Sequence, residues 1–343
     1  ITFNITLWHY IRDHINRARY GFKWDMIEFN HFHGFCKNFL NENNQKWPER
    51  GEHTDEYLLT KIVPMAVLDI LQRGMNKKKR IYDAILIDEG QDYDISWYKM
   101  LCSFLSNNNE LLLVIDEKQN IYSQDVSWVE SNKGTQFRGR CRVLNESIRM
   151  PNNILEQVNK FSQKFLPDTI GELPKPPEGG VQMDFTDPHL IWRNVSGFKE
   201  ASEMIFLAID WLTKKKGMHP QDIIVLVPTH VEGLSLVEMF DKKSKIKVNH
   251  VFDPNHHNEN KSNKNKMSFW MGDSRLKMST IHSFKGWESI NVIILTPAKE
   301  ENYSELDNIL YTSITRTRAN MFVFNRLEKY NEYGEGWPKY WLS

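Results

Sequence analysis

The sequence predicts an α/β protein built as two parallel-sheet domains in tandem. Short apolar runs, mostly β-branched or aromatic, recur at residues 26–29, 84–87, 111–115, 223–227, 292–295 and 321–324. Helical stretches such as 154–165 and 201–213 separate them, which is the alternation expected of strands buried on both faces and joined by crossover helices. Length supplies the second observation. A chain of 343 residues exceeds one ordinary domain and suits two of roughly 150 residues, each with its own core. Pro151, followed by Asn152 and Asn153, offers a turn for the handover, so the expected domains are 1–150 and 151–343.

Charge narrows the classes of partner. The 44 basic residues balance 44 acidic ones, so no global field draws in a polyanion and any nucleic-acid contact must be local. Basic clusters at 77–80, 214–216 and 242–247 read either as phosphate-tracking stripes or as solvated helix ends. The three cysteines, Cys36, Cys102 and Cys141, are widely spaced without metal-ligand pairing, which suits a reducing cytosol. No apolar stretch approaches the roughly 20 residues of a membrane span. A soluble, cytoplasmic protein with no membrane partner is expected. The Asn-, Lys- and His-rich segment 253–266 reads as a mobile surface loop, and the Pro- and Gly-rich stretch 174–180 as a second break.

The strongest local signal is Tyr82-Asp83-Ala84-Ile85-Leu86-Ile87-Asp88-Glu89-Gly90-Gln91-Asp92. An apolar parallel strand here delivers two adjacent carboxylates at its C-terminal edge, where open α/β sheets bind ligands. Asp88 would hold Mg²⁺ on nucleotide phosphates, and Glu89 would orient and deprotonate the attacking water. The competing reading is an acidic loop that caps the next helix. Gln91 and Asp92 tip the balance, because Asp-Glu-x-Gln-Asp after an apolar strand resembles the Walker B motif of the UvrD/Rep-like superfamily 1 DNA helicases.

Further motifs follow in the order of that family. Asp116-Glu117-Lys118-Gln119-Asn120-Ile121-Tyr122 resembles its Asp-x-x-Gln-x-Ile-Tyr. The resemblance gives Gln119 the role of γ-phosphate sensor and brings Tyr122 toward single-stranded DNA, with a packed core tyrosine as the alternative. The family's Gly before the Asp is Ile115 here, and its Trp-Arg after the Tyr is replaced by Ser123 and Gln124. Leu144 to Met150 resembles the Leu-x-x-Asn-Tyr-Arg-Ser motif, with Arg149 as a γ-phosphate ligand and Ile148 in place of the Tyr that stacks on adenine. Thr280-Ile281-His282-Ser283-Phe284-Lys285-Gly286-Trp287-Glu288 is similar to Thr-x-His-x-x-Lys-Gly-Leu-Glu. By that likeness Gly286 admits a ligand close to the backbone and Glu288 accepts from the ribose. Thr280, His282 and Lys285 then lie by the DNA. Leu310 to Arg318 resembles Leu-Tyr-Val-Ala-x-Thr-Arg-Ala-Arg, which makes Arg316 the arginine finger, a group that contributes roughly 10³ to 10⁵ in rate in related enzymes. Arg318 reads as a helix-surface or phosphate-backbone residue. Thr2, Phe3 and Asn4 occupy the place of a family strand that contacts single-stranded DNA, and residues 30–36, with His33, resemble Thr-Phe-His-Ser-Phe-Cys.

The resemblance spans residues 1 to about 324 and implies two RecA-like domains that share one ATP and its Mg²⁺ in the cleft between them. Hydrolysis would drive 3′ to 5′ movement on single-stranded DNA, or on a duplex with a single-stranded tail. No Gly-x-x-x-x-Gly-Lys-Ser/Thr phosphate loop occurs in the 343 residues. The expectation is a first domain without its N-terminal strand and phosphate loop, inactive as it stands and a working motor where that loop precedes Ile1. The family's large accessory insertions are absent as well, so a fused or partner nuclease is expected. The Thr-Phe-Asn opening and Trp337-Pro338 resemble bacterial helicases joined to a nuclease-related domain, some acting in phage defence. A reading from a different class is a nucleotide-independent DNA-binding or scaffold subunit.

Overall fold

The computed structural model describes residues 1–2, 7–18, 20–21, 23–49, 51–74, 81–122, 127–130, 134–138, 142–167, 173–178, 188–253, 265–266, 268–270, 272–300 and 305–337. The chain divides into two compact units, Ile1–Cys141 and Arg142–Ser343, ahead of the turn at Pro151. Each is α/β with a parallel sheet, as the alternation of short apolar runs and helices predicts.

In the first unit β1 (Tyr82–Ile87) pairs in parallel with β2 (Leu105–Leu113), placing Leu86 opposite Leu112 and Ile87 opposite Leu113. The backbone at Ile1 continues the ladder beyond β1: its N donates to Leu86 O at 2.6 Å and its O accepts from Asp88 N at 3.1 Å. Thr2 then pairs with His31. Side chains alternate across a strand. Ile85 and Ile87 therefore enter the core, and Leu86 stays 58% exposed on the other face. The buried side packs against the helices Phe32–Glu42, Val63–Gln72 and Ile95–Cys102 through Phe35, Phe39, Val67, Trp97 and Leu101. Phe32 stacks on Trp97 with ring centroids 4.2 Å apart. Asp94 starts the third helix by accepting from Ser96 N at 2.8 Å, which satisfies one of the amide donors a helix N-terminus leaves open.

The second unit carries one six-stranded parallel sheet in the order β3-β8-β7-β4-β6-β5. Its strands are β3 (Leu190–Asn194), β4 (Ile223–Val227), β5 (Val248–His250), β6 (Leu276–Thr280), β7 (Ser289–Leu295) and β8 (Thr317–Asn325). Every residue of β4 is buried, as an apolar run inside a doubly covered sheet must be. The helices Asn152–Phe165 and Phe198–Asp210 lie where the apolar periodicity places them.

Two strand expectations need correction. Residues 26–29 form no strand: Trp24–Met26 is a turn of 3₁₀ helix, and Ile27 is extended without a ladder partner among the described residues. Their side chains explain it, because Met26 is 81% and Ile27 38% exposed, and an apolar run that buries little gains little from pairing. Conversely, β2 begins at Leu105 and runs through Asn107, Asn108 and Asn109, residues depleted in strands. The register with β1 jumps there, from Tyr82 opposite Leu105 to Ala84 opposite Glu110, so the asparagines form a bulge and the apolar half alone holds the ladder beyond them.

The pair of histidines at the start of the Phe32–Glu42 helix gives the first unit an acid sensitivity. Burial, reinforced by neighbouring His33, pushes the His31 imidazole down to about 4. The unfolded chain takes up its proton near the ordinary value of about 6.5, so stability present above that pH falls as pH drops to about 4 and is level below. The expected loss is roughly 2–3 kcal/mol. It should appear in urea unfolding at pH 7 and pH 4.5, and be absent from the difference measured for His31→Asn.

Candidate functional site

In the first unit the acidic pair stands where β1 ends. Asp88 Oδ1 accepts from Glu89 N at 3.0 Å. Glu89 adopts φ 55° and ψ 46°, a left-handed conformation that costs a non-glycine residue about 1–3 kcal/mol and is retained mainly at functional positions. Gln91 holds its side chain: Nε2 donates to Glu89 Oε2 at 2.6 Å, and Oε1 accepts from Asp116 N at 2.9 Å. Asp116, just past β2, accepts from Gln119 Nε2 at 2.5 Å and from Lys118 N at 3.1 Å. One hydrogen-bonded chain thus joins the ends of both strands and includes Asp88, Glu89 and Gln119. Gly90 makes the closeness of the strands possible. A Cβ there would lie 2.5 Å from Leu113 Cδ1 and 2.7 Å from Ile115 Cγ2. The bridging roles of Gln91 and Asp116 were not foreseen from the motifs, although a fully buried polar Gln beside two acids is a signal of such a bridge. Tyr122 is half-buried, and burial together with the charges of Asp92 and Glu89 raises its phenol above the usual range.

In the second unit, Glu288 stands between two guanidiniums. Arg149 Nε lies 2.5 Å from its Oε2 and Arg318 Nη1 lies 3.2 Å from its Oε1. Arg318 sits on β8, which corrects its expected place on a helix: the helix Leu306–Ile314 stops two turn residues before the strand begins. Gly286 has φ 83°, a conformation that glycine alone adopts without strain. It lies on the short connection 281–288, which links β6 to β7 on the other side of β4. Arg316 is 3% exposed. Its guanidinium donates to Thr312 O at 3.1 Å, Trp287 O at 3.4 Å and Thr315 Oγ1 at 3.2 Å, so it is turned onto the end of its own helix.

The residues expected at nucleic acid are placed unevenly. Thr280 is buried and caps the helix Ile281–Phe284, its Oγ1 accepting from Ser283 N at 3.2 Å and donating to Ser283 Oγ at 3.0 Å. Lys285 is buried too. Burial lowers the His282 imidazole, and the cations of Lys285 and Lys266 lower it further. His33 bonds Leu59 O at 3.1 Å and meets Trp97 edge to face. Its imidazole is likewise lowered, chiefly by burial. Thr2 is buried, its N donating to Asn30 O at 3.0 Å. Phe3 and Asn4 lie outside the described residues, as do the basic cluster 77–80 and most of segment 253–266. Among the described residues, no group of three or more His, Cys, Asp or Glu is placed to hold a metal ion. Mg²⁺ on a nucleotide needs only one or two carboxylates, with phosphates and water completing its shell, and the hard oxygens of Asp88 fit that demand.

Residues 58–128, which contain both strands of the first unit and the acidic pair, match the family model of the UvrD/REP helicase N-terminal domain. Over those residues the chain is UvrD/REP-like. Among solved structures, the C-terminal domain of a possible DNA helicase from Lactobacillus plantarum WCFS1 is similar at 15% identity over 49% of this chain and 84% of that one. Its TM-score is 0.31, too low to bear on the architecture. The comparison with curated proteins gave no match. No described helix of the UvrD/REP-like chain is long and apolar enough to cross a membrane.

Proposed function

We propose that this UvrD/REP-like chain belongs to an ATP-dependent DNA helicase or translocase that moves 3′ to 5′ on single-stranded DNA in the cytoplasm. The observation that carries the reading is the chain of bonds from Glu89 through Gln91 and Asp116 to Gln119. It presents a carboxylate pair at the C-terminal ends of two adjacent parallel strands, the edge at which such sheets bind ligands. Asp88 would hold Mg²⁺, which supplies neutralising charge at the phosphates. Glu89, fixed by Gln91, would take the proton of the attacking water, and Gln119 would report the γ-phosphate through Asp116. Glu288 would meet the ribose, and Arg149 and Arg316 would meet phosphate charge. The Arg316 role requires its bonds to Thr312 and Trp287 to give way first. Thr2, Phe3, Asn4, His33, Tyr122, Thr280, His282 and Lys285 are assigned to the DNA strand. A nuclease domain or subunit is the proposed partner.

The test is ATP turnover of the natural full-length protein, measured alone, with single-stranded DNA and with single-stranded RNA. Strong stimulation by DNA is expected. Stimulation by RNA alone would move the reading to an RNA motor. Nucleic-acid binding without turnover would favour a scaffold subunit, a reading to which the inward-turned Arg316 gives some support.

A further inference from the structure

The segment just before β6, packed on the connection 281–288 through Phe269, holds an exposed aromatic ring and a cation that has no partner among the described residues. Phe269 is fully buried and meets Trp287 edge to face, with centroids 5.9 Å apart. Asn249 on β5 ties the segment down from the other side, donating to Ser268 O at 3.4 Å and Asp273 Oδ2 at 3.3 Å. Between these anchors Trp270 turns outward and is 48% exposed. Asp273 N donates to Trp270 O at 3.2 Å, closing a turn that folds the indole back over Gly272. A Cβ on Gly272 would lie 2.3 Å from the ring. One part of the indole therefore rests on backbone while the rest meets solvent, which makes a flat apolar surface already held in place.

Lys266 supplies the charge. It is half-buried, and among the described residues its ammonium has no hydrogen-bond or carboxylate partner. Its charge is felt at His282, as is that of Lys285. Removing an ammonium from water is unfavourable unless an anion completes the site. A phosphodiester is such an anion. Phe269 N donates to Lys266 O at 3.3 Å, so one turn carries both the cation and, four residues on, the exposed ring, and aromatic rings combined with cations are the means by which proteins hold single strands irrespective of sequence.

We infer that Trp270 and Lys266 form a single-strand binding platform, the indole stacking on a base and the ammonium pairing with the adjacent phosphate. The platform rests on the proposed nucleic-acid function. It adds two residues that the motif resemblance does not supply, and gives the strand a contact beyond the buried Thr280 and Lys285.

Fluorescence anisotropy of labelled oligothymidylate and oligouridylate, titrated with the 343-residue chain over a range of salt, tests it. Trp270→Ala should weaken oligothymidylate binding about tenfold, with Trp270→Phe recovering most of the loss. Lys266→Gln should lower the salt slope by about one, and Lys266→Arg should restore it. Unchanged affinity in Trp270→Ala and an unchanged slope in Lys266→Gln, while the parent chain binds, would overturn the platform and leave the helicase reading standing. If the parent binds neither strand at low salt, both ideas fall. Equal losses on the two oligonucleotides support a platform indifferent to the sugar.

Discussion

Glu89→Gln in the natural full-length protein should reduce ATP turnover by about 10² to 10⁴, the usual contribution of a positioned general base, while nucleotide affinity stays within a few-fold of the parent. The substitution keeps size and shape. An amide oxygen can still accept from Gln91 Nε2, which donates to Glu89 Oε2 at 2.6 Å, so the bridge to Asp116 survives and only the proton acceptor is lost. Thermal stability should therefore be unchanged, which separates loss of chemistry from loss of fold. Steady-state turnover and equilibrium binding of a fluorescent nucleotide measure the two quantities. Turnover at the parental rate would remove Glu89 from the reaction, and its left-handed backbone would then need another explanation.

The second large effect concerns stability. Lys277 sits on β6 with its side chain fully buried, and its Nζ donates to Gln221 O at 2.8 Å, Asp273 O at 2.6 Å and Arg275 O at 3.0 Å. One ammonium thereby holds the turn before β6 to the chain entering β4. Lys277→Ala removes both the buried aliphatic stem and the three bonds, and should cost about 3 kcal/mol or more. Lys277→Met keeps the stem and should cost clearly less, so the difference between them isolates the packing. Burial pushes the Lys277 amine down to about 8, against an unfolded value of about 10.4. Between those values the unfolded chain binds the proton more readily, so this residue makes stability rise with pH across that window. Chemical denaturation at pH 7.5 and pH 10 should show the rise in the parent and not in Lys277→Met.

Much of the candidate site was legible in the chain because its residues are consecutive. Asp88, Glu89 and Gln91 follow an apolar strand, and the strand's own geometry delivers them to its C-terminal edge. Gly286 and Glu288 are legible for a similar reason, lying within one short segment. Contacts between segments far apart in sequence were not legible. Arg149 and Arg318 meet on Glu288 across long separations. Whether a motif residue faces solvent or the interior depends on what packs over it: Thr280 uses its hydroxyl on a helix cap, and Arg316 its guanidinium on the carbonyls of Thr312 and Trp287.

The strands set the same boundary. Alternating apolar runs sufficed to indicate two parallel sheets, since period and length are local properties of a chain. They could not show that residues 26–29 stay unpaired, that three asparagines join β2, or that Lys277 lies in a buried strand with its charge spent on three carbonyls. Those outcomes depend on which neighbour a segment meets after folding. Pairing and desolvation are interactions between segments, and only the assembled tertiary structure decides them.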